Sequence, residues 1–478
     1  MRATGAAVDR GAGSRQAGPP EIEVDLREPW GDGEAGLYVH VPFCERICPY
    51  CDFNRYLLRD GGVEEYLAGL EAEAAFYGRR LARQAPGLRF ATLYVGGGTP
   101  TALTPGQLRA LFASLRRHLP LDDVEEVTVE ANPGTLSPAK LAALREAGVT
   151  RLSLGVQSLD DGLLERLGRI HRAEHARRSF RRARAFGFPQ INVDLMFGLP
   201  GQTVDAWRRT LEEVVAWGPE HISCYSLIVE ENTPFGQLHA RGELPLPGED
   251  AEAAMYEEAI ACLQEGGWEH YEISNFARPG CQSRHNRIYW RNGDWLGLGP
   301  GAHSQWGPRR WANRRLPADW GAALAAGRAP VEWVTLLDEA EAMEDTLILG
   351  LRLLVEGVEV ERFRRRFGLS PADVFGPVLE RLVGWGLLEV SPLRIRLSRR
   401  GRFLATRAMV ELVGAGSTAA STAASAAASA AAPGPPGLHG SGQRAASIPT
   451  ASSTAANPSR ASSRASPSTS RPTNPGPS

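Results

Sequence analysis

The chain has 478 residues, enough for two or more domains around a large core. Apolar residues make up 43% of it and the formal net charge is −2, which excludes a general electrostatic pull toward nucleic acid or anionic membrane. No apolar run approaches the ~18 residues that a membrane span requires, and the first residues lack the apolar stretch of a secretory signal. Six cysteines, three of them within eight residues, fit a reducing cytoplasm better than a disulfide framework.

Residues 1–35 are rich in Gly, Ala, Arg and Pro without apolar period, and are expected to be disordered. Short apolar runs rich in β-formers follow at 37–41, 90–95, 126–130, 151–156, 191–197 and 221–228. Each of the first five precedes a helix-patterned stretch, such as 63–83 or 138–147. Thr104-Pro-Gly-Gln107 and Ser137-Pro-Ala-Lys140 put a hydroxyl cap before a proline at the first helical position. Strands alternating with helices predict an α/β fold with parallel pairing and right-handed crossovers. Six such units predict a partial (β/α)6 barrel spanning residues 36–334. Within it, Trp295-Leu-Gly-Leu-Gly-Pro-Gly-Ala-His303-Ser304 reads as a glycine-rich loop closing over the barrel mouth.

Residues 335–412 form a smaller C-terminal helical domain. Helical spacing at 358–367 and 371–386, a hairpin at 387–390 and 395–398, and a last helix near Arg399 give it a winged-helix-like order. Arg394, Arg396, Arg399, Arg400 and Arg402 are diluted by Glu380 and Glu389, so no nucleic-acid surface is expected. Residues 413–478, an Ala/Ser/Pro-rich tail, lack aromatic and acidic residues and are expected to be disordered.

A barrel of this kind carries its chemistry just after the strands. The cluster Cys44-Glu-Arg-Ile-Cys48-Pro-Tyr-Cys51 follows the first strand, Gly96-Gly97-Gly98-Thr99-Pro100 ends the second, and Glu130-Ala-Asn132-Pro133 ends the third. Gln157 follows the fourth, and Asp194 lies in the fifth before Gly198-Leu-Pro200. C-x3-C-x2-C offers three soft thiolates from one loop, suited to zinc, copper(I) or an iron–sulfur cluster. A cubic four-iron cluster normally takes four cysteines, so three leave one iron open for chemistry. Zinc with His40 as a fourth ligand, or a disulfide, are the plainer readings. The glycine triplet either admits a ligand close to the backbone or serves a strand-to-helix turn. Glu130 and Asp194 are either solvated carboxylates or contacts to a ribose or amino group. Tyr38 and His40 share one face of the first strand and fit a barrel-interior position.

The string Leu37-Tyr-Val-His-Val-Pro-Phe-Cys44 through Cys51-Asp-Phe53 resembles radical S-adenosylmethionine (SAM) enzymes. With Gly96-Gly-Gly-Thr-Pro-Thr101, Glu130-Ala-Asn-Pro133, Gly155-Val-Gln-Ser158 and Asp194-Leu-Met-Phe-Gly-Leu-Pro200, it is similar to the oxygen-independent coproporphyrinogen oxidase branch. The resemblance spans about residues 36–410. It implies a [4Fe-4S] cluster on Cys44, Cys48 and Cys51, with SAM chelating the open iron. Tyr38, Tyr50, Gly97, Gly98, Thr99, Glu130, Gln157, Arg169 and Asp194 match positions that contact SAM in relatives. His303 falls near another such position, in a differing local sequence.

Two functions compete within the branch. Coproporphyrinogen dehydrogenases carry a further cysteine two positions after the third cluster ligand, where this chain has Phe53, and an ordered N-terminal extension absent here. The second function is heme binding and delivery. His285-Asn286-Arg-Ile-Tyr289-Trp290 resembles the HNxxYW motif associated with heme in the heme chaperones of the branch. Histidine is a natural axial ligand for heme iron, although a His-Asn pair beside Tyr-Trp is by itself more often a hydrogen-bonded packing corner. The implied partners are heme and heme-accepting proteins, respiratory and membrane-associated ones among them. The reading is therefore a heme chaperone carrying a cluster and SAM, with coproporphyrinogen dehydrogenase and a radical-SAM modifying enzyme as alternatives.

Overall fold

The computed structural model of the protein describes residues 24–27, 29–30, 34–58 and 62–416. β1 (Ala35–Val41), β2 (Phe90–Gly97), β3 (Glu126–Ala131), β4 (Arg151–Gln157), β5 (Gln190–Phe197) and β6 (His221–Ser226) pair in parallel in chain order. The crossovers carry α1 (Gly62–Gln84), α2 (Pro105–His118), α3 (Pro138–Glu146), α4 (Ala173–Ala185) and α5 (Val204–Trp217). Both caps read from sequence form: Thr104 accepts from the Gln107 N–H and Ser137 from the Lys140 N–H. Leu108, Leu111, Phe112 and Leu115 make one apolar stripe on α2 and are all buried. Burying each such side chain contributes roughly 1.5–3 kcal/mol. Strand residues such as Leu37, Val39, Val129, Leu154 and Val193 supply the sheet side of that core.

The glycine-rich segment after residue 294 departs from the loop expected of it. β7 (Asp294–Leu298) pairs in parallel with the outer edge of β1, making a seventh parallel strand. β8 (His303–Trp306), β9 (Arg309–Asn313) and β10 (Val331–Leu336) continue the sheet antiparallel. The glycines have a packing cause: a Cβ on Gly297 would lie 2.1 Å from the His303 carbonyl oxygen. Leu296 and Leu298 are fully buried, as strand residues between two neighbours should be.

The N-terminal boundary also needs correction. Val24 and Leu26 are buried in the main core, although residues 1–35 were expected to be disordered. The Leu26 N–H donates to Gln84 Oε1 at 2.9 Å and its carbonyl accepts from Trp306 Nε1 at 2.8 Å. Two apolar side chains are too few to register as a period, so pattern reading passes over them. Residues 1–23, and residues 417–478 of the tail, lie outside the described residues.

α6 (Arg284–Trp290) carries the HNxxYW string. Beyond the sheet, α7 (Glu339–Gly350), α8 (Val360–Phe367) and α9 (Pro371–Gly384) enclose a second core with a small sheet. That sheet orders β11 (Val358–Glu359), β13 (Arg394–Leu397) and β12 (Leu388–Val390). Among the described residues no helix is long and apolar enough to cross a membrane.

Candidate functional site: a cysteine-lined pocket at the strand ends

The cysteine loop is tied to the sheet by backbone bonds. The Gly98 and Thr99 N–H groups donate to the carbonyls of Val41 and Phe43, each at 2.8 Å, and Leu58 N–H donates to the Cys44 carbonyl at 2.9 Å. These bonds hold the three thiols around a pocket of about 360 Å³. All described cysteines are free. Burial pushes the Cys44 and Cys51 thiols above their ordinary pKa, so a metal that takes either thiolate must displace a proton held more tightly than in water.

Polar groups converge on the sulfurs. Thr99 Oγ1 donates to Cys44 Sγ at 3.6 Å, and Arg169 Nη1 to Cys48 Sγ at 3.7 Å. Arg169 Nη2 donates to the Gly155 carbonyl at 2.8 Å, while its buried Nε has no partner among the described residues. A guanidinium fixed beside a thiolate offsets the negative charge that three cysteines bring. No three His, Cys, Asp or Glu side chains converge on a single ion among the described residues. A cluster makes a different demand, one thiolate for each of three irons. The zinc reading loses its fourth ligand, because His40 bonds the Tyr38 hydroxyl through Nδ1 at 2.9 Å and the Asn54 carbonyl through Nε2 at 2.7 Å.

The carboxylates are half-buried and hydrogen-bonded rather than freely solvated. Glu130 accepts from the Tyr94 hydroxyl at 2.7 Å and the Gly97 N–H at 3.0 Å, and burial raises its pKa to about 7. Asp194 accepts from Ser153 at 2.8 Å and Asn192 at 2.7 Å, and burial pushes its carboxyl up as well. The glycine triplet is explained by the protein's own atoms. A Cβ on Gly96 would meet Glu130 Cδ at 2.8 Å, one on Gly97 the His40 ring at 2.6 Å, and one on Gly98 the Phe43 oxygen at 2.7 Å. Gly97 also has φ +110°, and Gln157 is one of two described non-glycine residues with positive φ, at +65°.

Tyr50, Gly97, Gly98, Thr99, Glu130, Gln157, Arg169 and Asp194 all line the pocket with the three cysteines. Tyr38 does not: it lines a second cavity next door. Tyr94, Ser153 and Tyr225 also line the pocket and were missed. Their signal, a polar residue at an inward strand position, is visible only once the register is known.

The HNxxYW helix lies behind this site. His285 bonds Thr92 Oγ1 through Nδ1 and the Tyr289 hydroxyl through Nε2, both at 2.7 Å, and burial lowers its pKa to about 3. Its ring stacks on Tyr94 at 5.1 Å, so it braces a pocket residue. Asn286 is half-buried, with its N–H on the Ser283 cap, and Arg352 lies 4.2 Å over the Trp290 ring. No ring nitrogen of His285 is left over for iron in this arrangement.

A parallel sheet with three cysteines at its carboxyl rim is the radical-SAM architecture. The Radical SAM superfamily pattern matches residues 38–214 and the HemN C-terminal domain pattern residues 337–404. The solved coproporphyrinogen III oxidase (HemN) of Escherichia coli, a radical SAM enzyme, superposes with a TM-score of 0.69 at 25% identity, covering 79% of this chain and 90% of its own. The heme chaperone HemW of Bacillus subtilis is 41% identical over 79% of this chain and 98% of its own length. The mitochondrial radical S-adenosyl methionine domain-containing protein 1 of Mus musculus is 37% identical over 77% of this chain and 84% of its own. The chain belongs to the HemW family of radical-SAM proteins.

Proposed function

We propose that this protein binds heme and passes it to acceptor proteins, while Cys44, Cys48 and Cys51 hold a [4Fe-4S] cluster with SAM beside it. The observation that carries the reading is Phe53. It stands where the porphyrinogen-oxidising enzymes have a further cysteine, and it is 61% exposed at the rim of the pocket. Full-length relatives named heme chaperones point the same way.

In the superfamily such a cluster supplies an electron to bound SAM. The chain's own residues do the rest. Arg169 offsets thiolate charge, Glu130 fixes the Gly97 backbone, and Tyr50 with Met196 narrows access of water. The HNxxYW helix would serve heme indirectly, through the stack of His285 on Tyr94. A reducing cytoplasm suits six free thiols. Acceptors would include respiratory, membrane-associated proteins.

The test is an anaerobic heme titration of cluster-reconstituted protein, followed by Soret absorbance. Saturable one-to-one binding is expected. Its absence would overturn the carrier reading in favour of the alternative, coproporphyrinogen dehydrogenase, which the HemN-like fold supports. SAM-dependent decarboxylation of coproporphyrinogen would then be the assay.

A further inference from the structure

A second cavity, of about 530 Å³, adjoins the cysteine pocket and shares Phe53, Gly97 and Glu130 with it. That volume lies within the ~300–1,000 Å³ typical of ligand sites. Its far wall comes from β8, β9 and β10, the part of the sheet that the barrel itself does not need. Apart from the place of His303 near a SAM-contacting position of relatives, no role given above uses this wall.

Two histidines line the cavity, and they differ in one respect. His40 has both ring nitrogens hydrogen-bonded. His303 is exposed at the start of β8 and has neither nitrogen in a hydrogen bond among the described residues; its ring meets Trp333 edge-on at 5.7 Å. Trp333 is 41% exposed on β10, and Phe53, which lines both cavities, is 61% exposed. Two large aromatic side chains uncovered at one cavity mouth mark a ligand surface more than a folding element. Arg315, also exposed there, forms no ion pair among the described residues, and the acids Asp52 and Glu332 stand at the same rim.

On the reading that this protein carries heme, we propose that this second cavity is the heme site, with His303 as the axial ligand to iron. Phe53 and Trp333 supply apolar faces for the macrocycle, and Arg315 supplies a cation for a propionate. Neutral imidazole with a free nitrogen is the chemistry that iron requires. The shared wall places the heme beside the cluster pocket, and the open rim leaves it reachable by an acceptor.

The test uses the full chain, cluster-reconstituted and anaerobic, titrated with heme for the wild type, His303→Ala and Arg315→Glu. His303→Ala is expected to weaken binding roughly tenfold or more and to change the iron-ligation spectrum, with added imidazole restoring that spectrum. Arg315→Glu is expected to weaken binding several-fold, on the order of a lost charge-assisted contact, with the ligation spectrum kept. Both side chains are exposed, so iron content and melting temperature should match the wild type. Saturable heme binding unchanged by His303→Ala would overturn this site and leave the carrier reading standing. A wild type without saturable binding would sink the carrier reading and this site together. A second SAM per chain, lost in His303→Ala, would make the cavity a nucleoside site and overturn the heme assignment.

Discussion

The cysteine pocket is walled by the ends of parallel strands, and its half-buried carboxylates have their hydrogen bonds already made. The adjoining cavity is walled on its far side by β8–β10, and the side chains of His303, Arg315 and Trp333 stand exposed there without hydrogen-bond partners among the described residues. Satisfied buried networks hold one geometry, whereas exposed side chains reorient at little cost. A resident cofactor is served by the first design. A ligand that has to be handed on is served by the second. The two designs meet at a single wall, where Glu130 holds the Gly97 backbone.

The sharpest way to separate the two cavities is Cys48→Ala. Losing one of three thiolates should abolish cluster absorbance and bring iron content to background, with the fold intact by circular dichroism. Heme affinity should change little, since Cys48 lines only the first of these two cavities. Heme binding lost along with iron would show that the cavities do not act separately.

Glu73→Ala attacks the other side. Glu73 is fully buried in α1 and accepts from Gly299 N–H at 2.7 Å, Asn313 Nδ2 at 2.7 Å and Trp320 Nε1 at 3.1 Å. Removing it leaves three buried donors short of a partner, each costing about 1–3 kcal/mol. Denaturant unfolding should register a loss of more than about 3 kcal/mol. Asn313 lines the second cavity, so heme affinity should fall while iron content holds. An unchanged unfolding midpoint would remove Glu73 as the brace.

Gly97→Val strikes the shared wall. At φ +110° a branched residue is strained by about 1–3 kcal/mol, and its Cβ would collide with the His40 ring. SAM affinity by equilibrium dialysis should fall roughly tenfold with iron retained. Heme affinity should fall with it, because His40 lines the second cavity. A loss confined to SAM would mean that the wall does not transmit strain.

The same contrast explains what could be read from the sequence. Cys44, Gly97, Glu130 and Gln157 each follow or end an apolar run and Asp194 lies within one, so strand periodicity and the barrel rule were enough to gather them on one rim. β7 and β8 were not legible. Their glycines answer to a neighbour's carbonyl, as at Gly297, and glycine without its neighbour reads as loop. Glu73 is equally opaque, since an acid on a long amphipathic helix is normally solvent-facing. His285 was legible as a motif, but its partners Thr92 and Tyr94 come from a strand nearly two hundred residues away.

The smallest effect concerns protons at the shared wall. Glu130 has a folded pKa of about 7 against an ordinary 4.5, with burial as the cause, so the folded chain binds that proton more tightly than the unfolded chain. Its contribution to stability is therefore fully present below the ordinary value and is lost as pH rises through about 7. Glu73, also at about 7 and also raised by burial, acts in the same direction. Measured on cluster-free Cys48→Ala protein, to avoid acid loss of iron, the melting temperature should fall by a few degrees between about pH 5 and 8. Adding Glu130→Gln supplies an amide that stays neutral, which should flatten the slope in part and leave the share due to Glu73. An equal slope in both proteins would mean that Glu130 is charged in the fold, and the wall between the cavities would then carry a permanent negative charge facing both of them.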